Sequence, residues 1–246
     1  MNHRLRWSPD VEGQRMRAMG AADVLALWER GAPRHALDRC VLLAGFARPE
    51  LPPDAVADLP LGEVTASLLR LREASFGARV AAHADCERCG QRLALMLELP
   101  ALLQPGAAAL DTEAAGLRLR APSLRDLAAV AHEADAERAA RRLLARCTLQ
   151  GDGGGLSEAA LRDAEDALEA LDPNADLAFA LRCEACGHES TAQLDAGLLL
   201  WDDVEARARA LFGEVHALAH AYGWSEAEIL GLSPARRAAY LAMVGS

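Results

Sequence analysis

Two short stretches hold the residues best suited to chemistry: Cys86-Glu87-Arg88-Cys89-Gly90 and Cys183-Glu184-Ala185-Cys186-Gly187. Each spaces two thiols by two residues and ends in glycine. Glycine reaches positive φ at no steric cost, so a tight turn can bring both sulfurs and nearby N–H groups to one side. Cys86, Cys89, Cys183 and Cys186 together supply four thiolates, a donor set that suits one tetrahedral zinc ion, with other thiophilic metals as alternatives. A catalytic zinc keeps a coordination position for water, and four cysteines leave none, so the expected ion is structural. The competing use of Cys-x-x-Cys is a redox dithiol. That motif is followed by a helix in thioredoxin-like folds, whereas Leu93-Ala94-Leu95-Met96-Leu97 reads as a strand.

The elements that position these thiols follow from the spacing. The 93 residues between Cys89 and Cys183 exceed ordinary ribbon spacing, and a helical insertion between two hairpins, one for each pair, would account for them. Loop-closure entropy grows slowly with length, so the detour is no thermodynamic obstacle. A shift of 97 positions carries Val80, Gly90, Leu97, Leu102 and Leu103 onto Leu177, Gly187, Leu194, Leu199 and Leu200, which indicates an internal duplication of knuckle plus hairpin. In the second copy Leu177, Phe179 and Leu181 alternate before the cysteines, and Ala192 and Leu194 alternate after them.

Most of the rest of the 246 residues reads as helix. The chain is 52% hydrophobic but only 4% aromatic, so its apolar volume comes mainly from alanine and leucine, good helix formers. Periodicity and caps predict helices over Asp23 to Arg30, Arg34 to Phe46 and Gly62 to Phe76, the last stopped by Gly77. Leu51 to Pro60 is a proline-rich spacer. In the insertion a strand is expected at Leu117 to Arg120, then helices at Leu124 to His132 (capped by Ser123), Ala136 to Cys147 and Glu158 to Leu171. A long helix is expected from Val204 to Tyr222, a short one capped by Ser225 and Glu228, and a last one from Pro234 to Met243. The expected fold is mostly α with small β hairpins, its two knuckles forming a zinc-ribbon-like module. The divisions are an N-terminal helical region (1–79, opening on an adaptable arm over 1–19), first knuckle and hairpin (80–103), strand plus helical insertion (104–176), second knuckle and hairpin (177–200) and C-terminal helical module (201–246).

Other candidate chemistry is weaker. His83 and His188 flank the knuckles as turn residues, and Cys40 and Cys147 sit on helices without companions at ligand spacing, as buried thiols do. His216 and His220 are one helical turn apart, but Ala217 breaks the metalloprotease pattern, and His132-Glu133 lacks a second histidine. Gly151 to Gly155 has no Gly-Lys-Ser/Thr continuation and reads as a loop. The acidic run Asp163, Glu165, Asp166 and Glu169 reads as a solvated helix face. The chain contains no lysine and carries a net charge of −10, which disfavours phosphate neutralisation and so a nucleic-acid partner. Arg236 and Arg237 at a DNA groove are therefore a minor reading. No apolar run is long enough for a membrane span, and Met1 to Trp7 lacks the core of a signal peptide, so a cytoplasmic location without a membrane partner is expected.

The ending carries a further signal: Ala221-Tyr222-Gly223-Trp224-Ser225-Glu226-Ala227-Glu228-Ile229-Leu230, then Leu232 to Arg237 and Tyr240-Leu241. It resembles the C-terminal region of baseplate proteins and baseplate hub assembly chaperones of T-even-type contractile phages and related injection systems. Leu59-Pro60-Leu61-Gly62, Leu68 to Phe76 and Asp172-Pro173 fit the same family more loosely. The resemblance implies a non-enzymatic structural or chaperone-like role, with baseplate or hub proteins as partners, no small-molecule substrate, and a place in a virion or injection particle. It brings no catalytic residues. Trp224, Arg236, Arg237 and Tyr240 are the candidate partner-binding residues. The alternative is a zinc-ribbon adaptor in transcription or RNA metabolism.

Overall fold

The structure, a computed structural model, describes residues 16–105, 109–151 and 155–244. The arm over 1–15 and most of the Gly151 to Gly155 loop lie outside the described residues. Helices α1 (Ala21–Gly31), α2 (Ala36–Ala47), α3 (Pro53–Ala57) and α4 (Leu61–Phe76) lead into the first hairpin, β1 (Arg79–Asp85) and β2 (Arg92–Glu98), and a single turn, α5 (Leu99–Leu102). The insertion comprises β3 (Asp111–Ala114), β4 (Leu117–Arg120), α6 (Leu124–Val130), α7 (Ala136–Cys147), β5 (Thr148–Gln150) and α8 (Glu158–Leu171). The second hairpin, β6 (Leu177–Arg182) and β7 (Glu189–Leu194), runs into α9 (Ala196–Tyr222), followed by α10 (Glu226–Gly231) and α11 (Pro234–Val244). The chain is thus a mixed α/β protein, largely helical, with small antiparallel sheets.

Three expectations need correction. The proline-rich spacer holds α3, started by Pro53 at a first-turn position where a missing N–H costs nothing. The insertion strand forms as expected over Leu117–Arg120, but as the centre of a three-stranded antiparallel sheet, ordered β3-β4-β5, whose outer strands were not expected. The long helix starts at Ala196, well before Val204, because the Asp195 carboxylate accepts the Leu198 N–H at 2.9 Å and caps it. Of the expected arm, residues 16–19 are anchored: Met16 and Met19 pack on the core, and the Met19 N–H donates to Ser75 Oγ at 3.0 Å.

The main core lies where α1, α2, α4 and α9 meet, around Val24, Leu43, Leu68, Leu71, Leu200, Val204 and Leu211. Both hairpins root in it through Val80 and Leu99 on the first and Leu177 and Ala196 on the second. Close approach requires glycine at two places. A Cβ at Gly31 would fall 2.4 Å from the Trp201 ring, and one at Gly197 would fall 2.3 Å from Cys40 Sγ. Arg72, buried on α4, donates to Asp203 on α9 at 2.9 Å and to the Gly77 and Arg79 carbonyls, fixing the start of the first hairpin against the longest helix.

A smaller core of Leu117, Leu119, Leu144 and Ala164 holds the insertion together. Beside it Asp126, 1% exposed, accepts from Arg120, Arg146 and Ser123. Burial works to raise the Asp126 carboxyl, but the Arg120 and Ser123 hydrogen bonds outweigh it and hold the group down at about 2. The insertion is tied to the main body at a point the sequence separates by 110 residues: Asp172 accepts the Gly62 N–H at 2.8 Å and so caps α4. A Cβ at Gly62 would lie 1.9 Å from Asp172 Oδ1.

The duplication reaches further than the hairpins. The 97-residue shift places α4 over α8, with the inward stripe Val64, Ser67 and Leu71 falling on Leu161, Ala164 and Leu168. It also places α5 over the first turn of α9. The repeated unit is helix, hairpin, helix.

Candidate metal centre

Each knuckle is made by its own strand ends. In β1–β2 the ladder runs from Arg79 opposite Glu98 to Asp85 opposite Arg92, and in β6–β7 from Leu177 opposite Leu194 to Arg182 opposite Glu189. Beyond the last pair, the Cys86 N–H donates to the Gln91 carbonyl at 2.9 Å and the Gly90 N–H to the Cys86 carbonyl at 2.8 Å. The second tip repeats both bonds: the Cys183 N–H to the His188 carbonyl and the Gly187 N–H to the Cys183 carbonyl, each at 2.8 Å. Gly90 and Gly187 have φ of 72° and 69°, the left-handed region that favours glycine and that this turn requires.

The two tips meet. Cys86 Sγ lies 3.7 Å from Cys186 Sγ, Cys89 Sγ lies 3.7 Å from Cys183 Sγ, and all four sulfurs fall within 4.8 Å of one another. Exchanging the two copies turns one of the 3.7 Å contacts into the other, so the cluster sits on a local pseudo-twofold axis. A tetrahedron of sulfurs with metal–sulfur bonds of about 2.3 Å has edges of about 3.8 Å, and a disulfide would need about 2.05 Å. The six cysteines are free thiols. The residues therefore fit a four-thiolate metal ion, which would hold the two hairpin tips together.

The electrostatics of the cluster point the same way. The Cys89 and Arg88 N–H groups favour the Cys86 thiolate and bring that thiol down to about 6. The His188 N–H favours a Cys186 thiolate too, but desolvation and the three neighbouring sulfurs outweigh it and push this thiol up to about 12. Four thiolates cannot ionise side by side without a cation between them, and binding one displaces the protons that separate them.

The remaining candidates fall elsewhere. His83 is an exposed strand residue opposite Ala94, not a turn residue, and His188 closes the second turn through its carbonyl. Neither is among the clustered ligands. Burial pushes the Cys40 thiol up to about 12 and Cys147 up to about 11, as expected of packed, protonated side chains. His216 and His220 stack on α9 with centroids 6.3 Å apart. No described helix is long and apolar enough to cross a membrane.

In the C-terminal region Trp224 stacks on Tyr222 at 4.7 Å and meets the Tyr240 ring edge-on at 4.9 Å, so that Tyr222, the last residue of the long helix, belongs to an aromatic cluster. Arg236 is exposed. Arg237 is 2% exposed and donates to Glu214, which also holds Arg207. The capping box of Ser225 and Glu228 forms as expected.

No protein-family model matches the chain, and neither the curated proteins nor the solved structures give a significant match.

Proposed function

We propose that the chain is a non-enzymatic structural or assembly protein, stabilised by one structural zinc ion on Cys86, Cys89, Cys183 and Cys186, that serves the baseplate of a contractile phage tail or injection system. The zinc reading is supported by the sulfur spacing, which fits a tetrahedral thiolate site and leaves no position for water. The observation that carries the assembly reading is the C-terminal motif. Residues that resemble the baseplate family end as a half-exposed aromatic trio, Tyr222, Trp224 and Tyr240, beside an exposed Arg236. Aromatic and arginine side chains of this kind dominate binding energy at protein interfaces. Two further motif segments, Leu59 to Gly62 and Asp172-Pro173, meet through the Gly62–Asp172 bond. In this reading Trp224, Tyr240 and Arg236 face a baseplate or hub protein, and Arg237 shapes the surface from beneath through Glu214. The protein is made in the cytoplasm and acts on, or enters, the particle.

The test is co-expression with hub, spike and tube proteins from the same locus. Capture of a hub or baseplate protein that Trp224→Ala and Arg236→Ala weaken, together with particles that fail to assemble when the chain is deleted, is the expected result. Normal particles after deletion contradict it. Salt-dependent binding of RNA or DNA would instead favour the zinc-ribbon adaptor.

A further inference from the structure

The four cysteines are not equally exposed. Cys86 and Cys183 are 3% and 1% exposed, Cys186 is half-buried, and Cys89 is exposed on the first hairpin. The exposed cysteine also has a defined neighbour: Cys89 Sγ is 3.7 Å from Cys183 Sγ on the other hairpin, and the same crossed relation joins Cys86 to Cys186. Within each knuckle, two backbone hydrogen bonds hold the turn that spreads its own pair around the cluster.

We propose that Cys89 is a peroxide-reactive site, and that its oxidation closes a crossed disulfide to Cys183 which releases the metal while keeping the two hairpins joined. The inference rests on the reading of this cluster as one thiolate metal centre. In the first step the Cys89 sulfur attacks hydrogen peroxide. An S–O bond forms, the O–O bond breaks, hydroxide leaves, and the sulfur gives up two electrons to become a sulfenic acid. The Cys183 sulfur then attacks Cys89. The S–S bond forms, the S–O bond breaks, and the second hydroxide leaves. With the two thiol protons taken up by the hydroxides, two thiols and one peroxide yield one disulfide and two waters. The ion has then lost two of its four donors. A second peroxide can close Cys86 to Cys186 in the same way, and a dithiol reductant reverses both steps.

The sequence makes the linkage readable. Arg88 separates Cys86 from Cys89, and Glu184 separates Cys183 from Cys186, so cleavage after arginine and glutamate puts the four cysteines on separate fragments. The full chain, as purified with its metal and after stripping under reducing conditions, is treated with equimolar hydrogen peroxide with and without dimedone. Non-reducing mass spectrometry maps the products while a chromogenic chelator follows the ion. The expected result is a first dimedone adduct on Cys89, a Cys89–Cys183 link at least tenfold over Cys86–Cys89, ion release in step with that link, and recovery of binding after reduction. A first adduct on another cysteine, or links within each knuckle, overturns the proposal. Absence of metal from the purified chain, with the crossed link still formed, overturns the metal reading and leaves the preferred thiol pairing intact. Bound metal with a Cys86–Cys89 link overturns the proposal alone.

Discussion

After the first hairpin the chain makes one helical turn, Leu99–Leu102, and departs. After the second it runs on for 27 residues through Ala196–Tyr222. The hairpins themselves match in register, turn hydrogen bonds and glycine conformation. The copies diverge on both sides of the hairpin: α4 packs in the main core and α8 in the smaller one, and past the last strand the paths part. Pro105 disfavours helix at Gln104 before it, and Leu103 is already extended, whereas no proline interrupts the second copy before Tyr222. The first copy therefore gives the main core the helix before its hairpin, α4, and the second gives it the helix after its hairpin, α9. Two copies of a unit can share a symmetric thiol cluster and still divide the packing unequally.

Substitutions at equivalent positions test that division. At the tips the copies should be equal: Cys86→Ser and Cys183→Ser should each abolish stoichiometric metal and cost several kcal/mol, since structural zinc contributes roughly 10 to 16 kcal/mol of apparent binding energy. Metal analysis and thermal unfolding check this, and a large inequality between the two would break the symmetry. One residue past the first turn they should differ. Leu200 is fully buried, so Leu200→Ala should cost about 2 to 5 kcal/mol, while its counterpart Leu103, half-buried, should cost clearly less on denaturant unfolding.

Acid separates the knuckles from the insertion. Protons compete with the ion for thiolates, so metal affinity falls as pH falls and the knuckles should lose hydrogen-exchange protection first. Asp126 has a folded pKa of about 2 against an unfolded value near 3.8. Its contribution, on the order of 2 kcal/mol, is complete above the unfolded value and lost as pH drops through about 2. Asp126→Asn should remove that dependence from the insertion and leave the knuckles unchanged. The smallest effect returns to symmetry: Gly90→Ala and Gly187→Ala should each cost about 1 to 2 kcal/mol, and equally, because both sit in the left-handed region.

The four clustered cysteines and the 97-residue repeat were legible because they depend on residue type and spacing, which a sequence displays directly. The core helices were legible from apolar stripes such as Val64, Leu68 and Leu71. The insertion sheet was not, since β3 is Asp-Thr-Glu-Ala and β5 only three residues, neither with an alternating apolar face. The start of α9 was obscured by Gly197 and the unbroken run Leu198-Leu199-Leu200-Trp201, and its signal was the Asp195 cap. The Gly62–Asp172 contact and the Arg237–Glu214 pair are tertiary, and nothing local in the sequence announces either.

X-ray absorption at the metal edge of the purified, reduced chain tests the central claim most directly. One zinc per chain with four sulfur neighbours at about 2.3 Å is the expected result. A chain without stoichiometric metal, or a first shell containing nitrogen or oxygen, would contradict it.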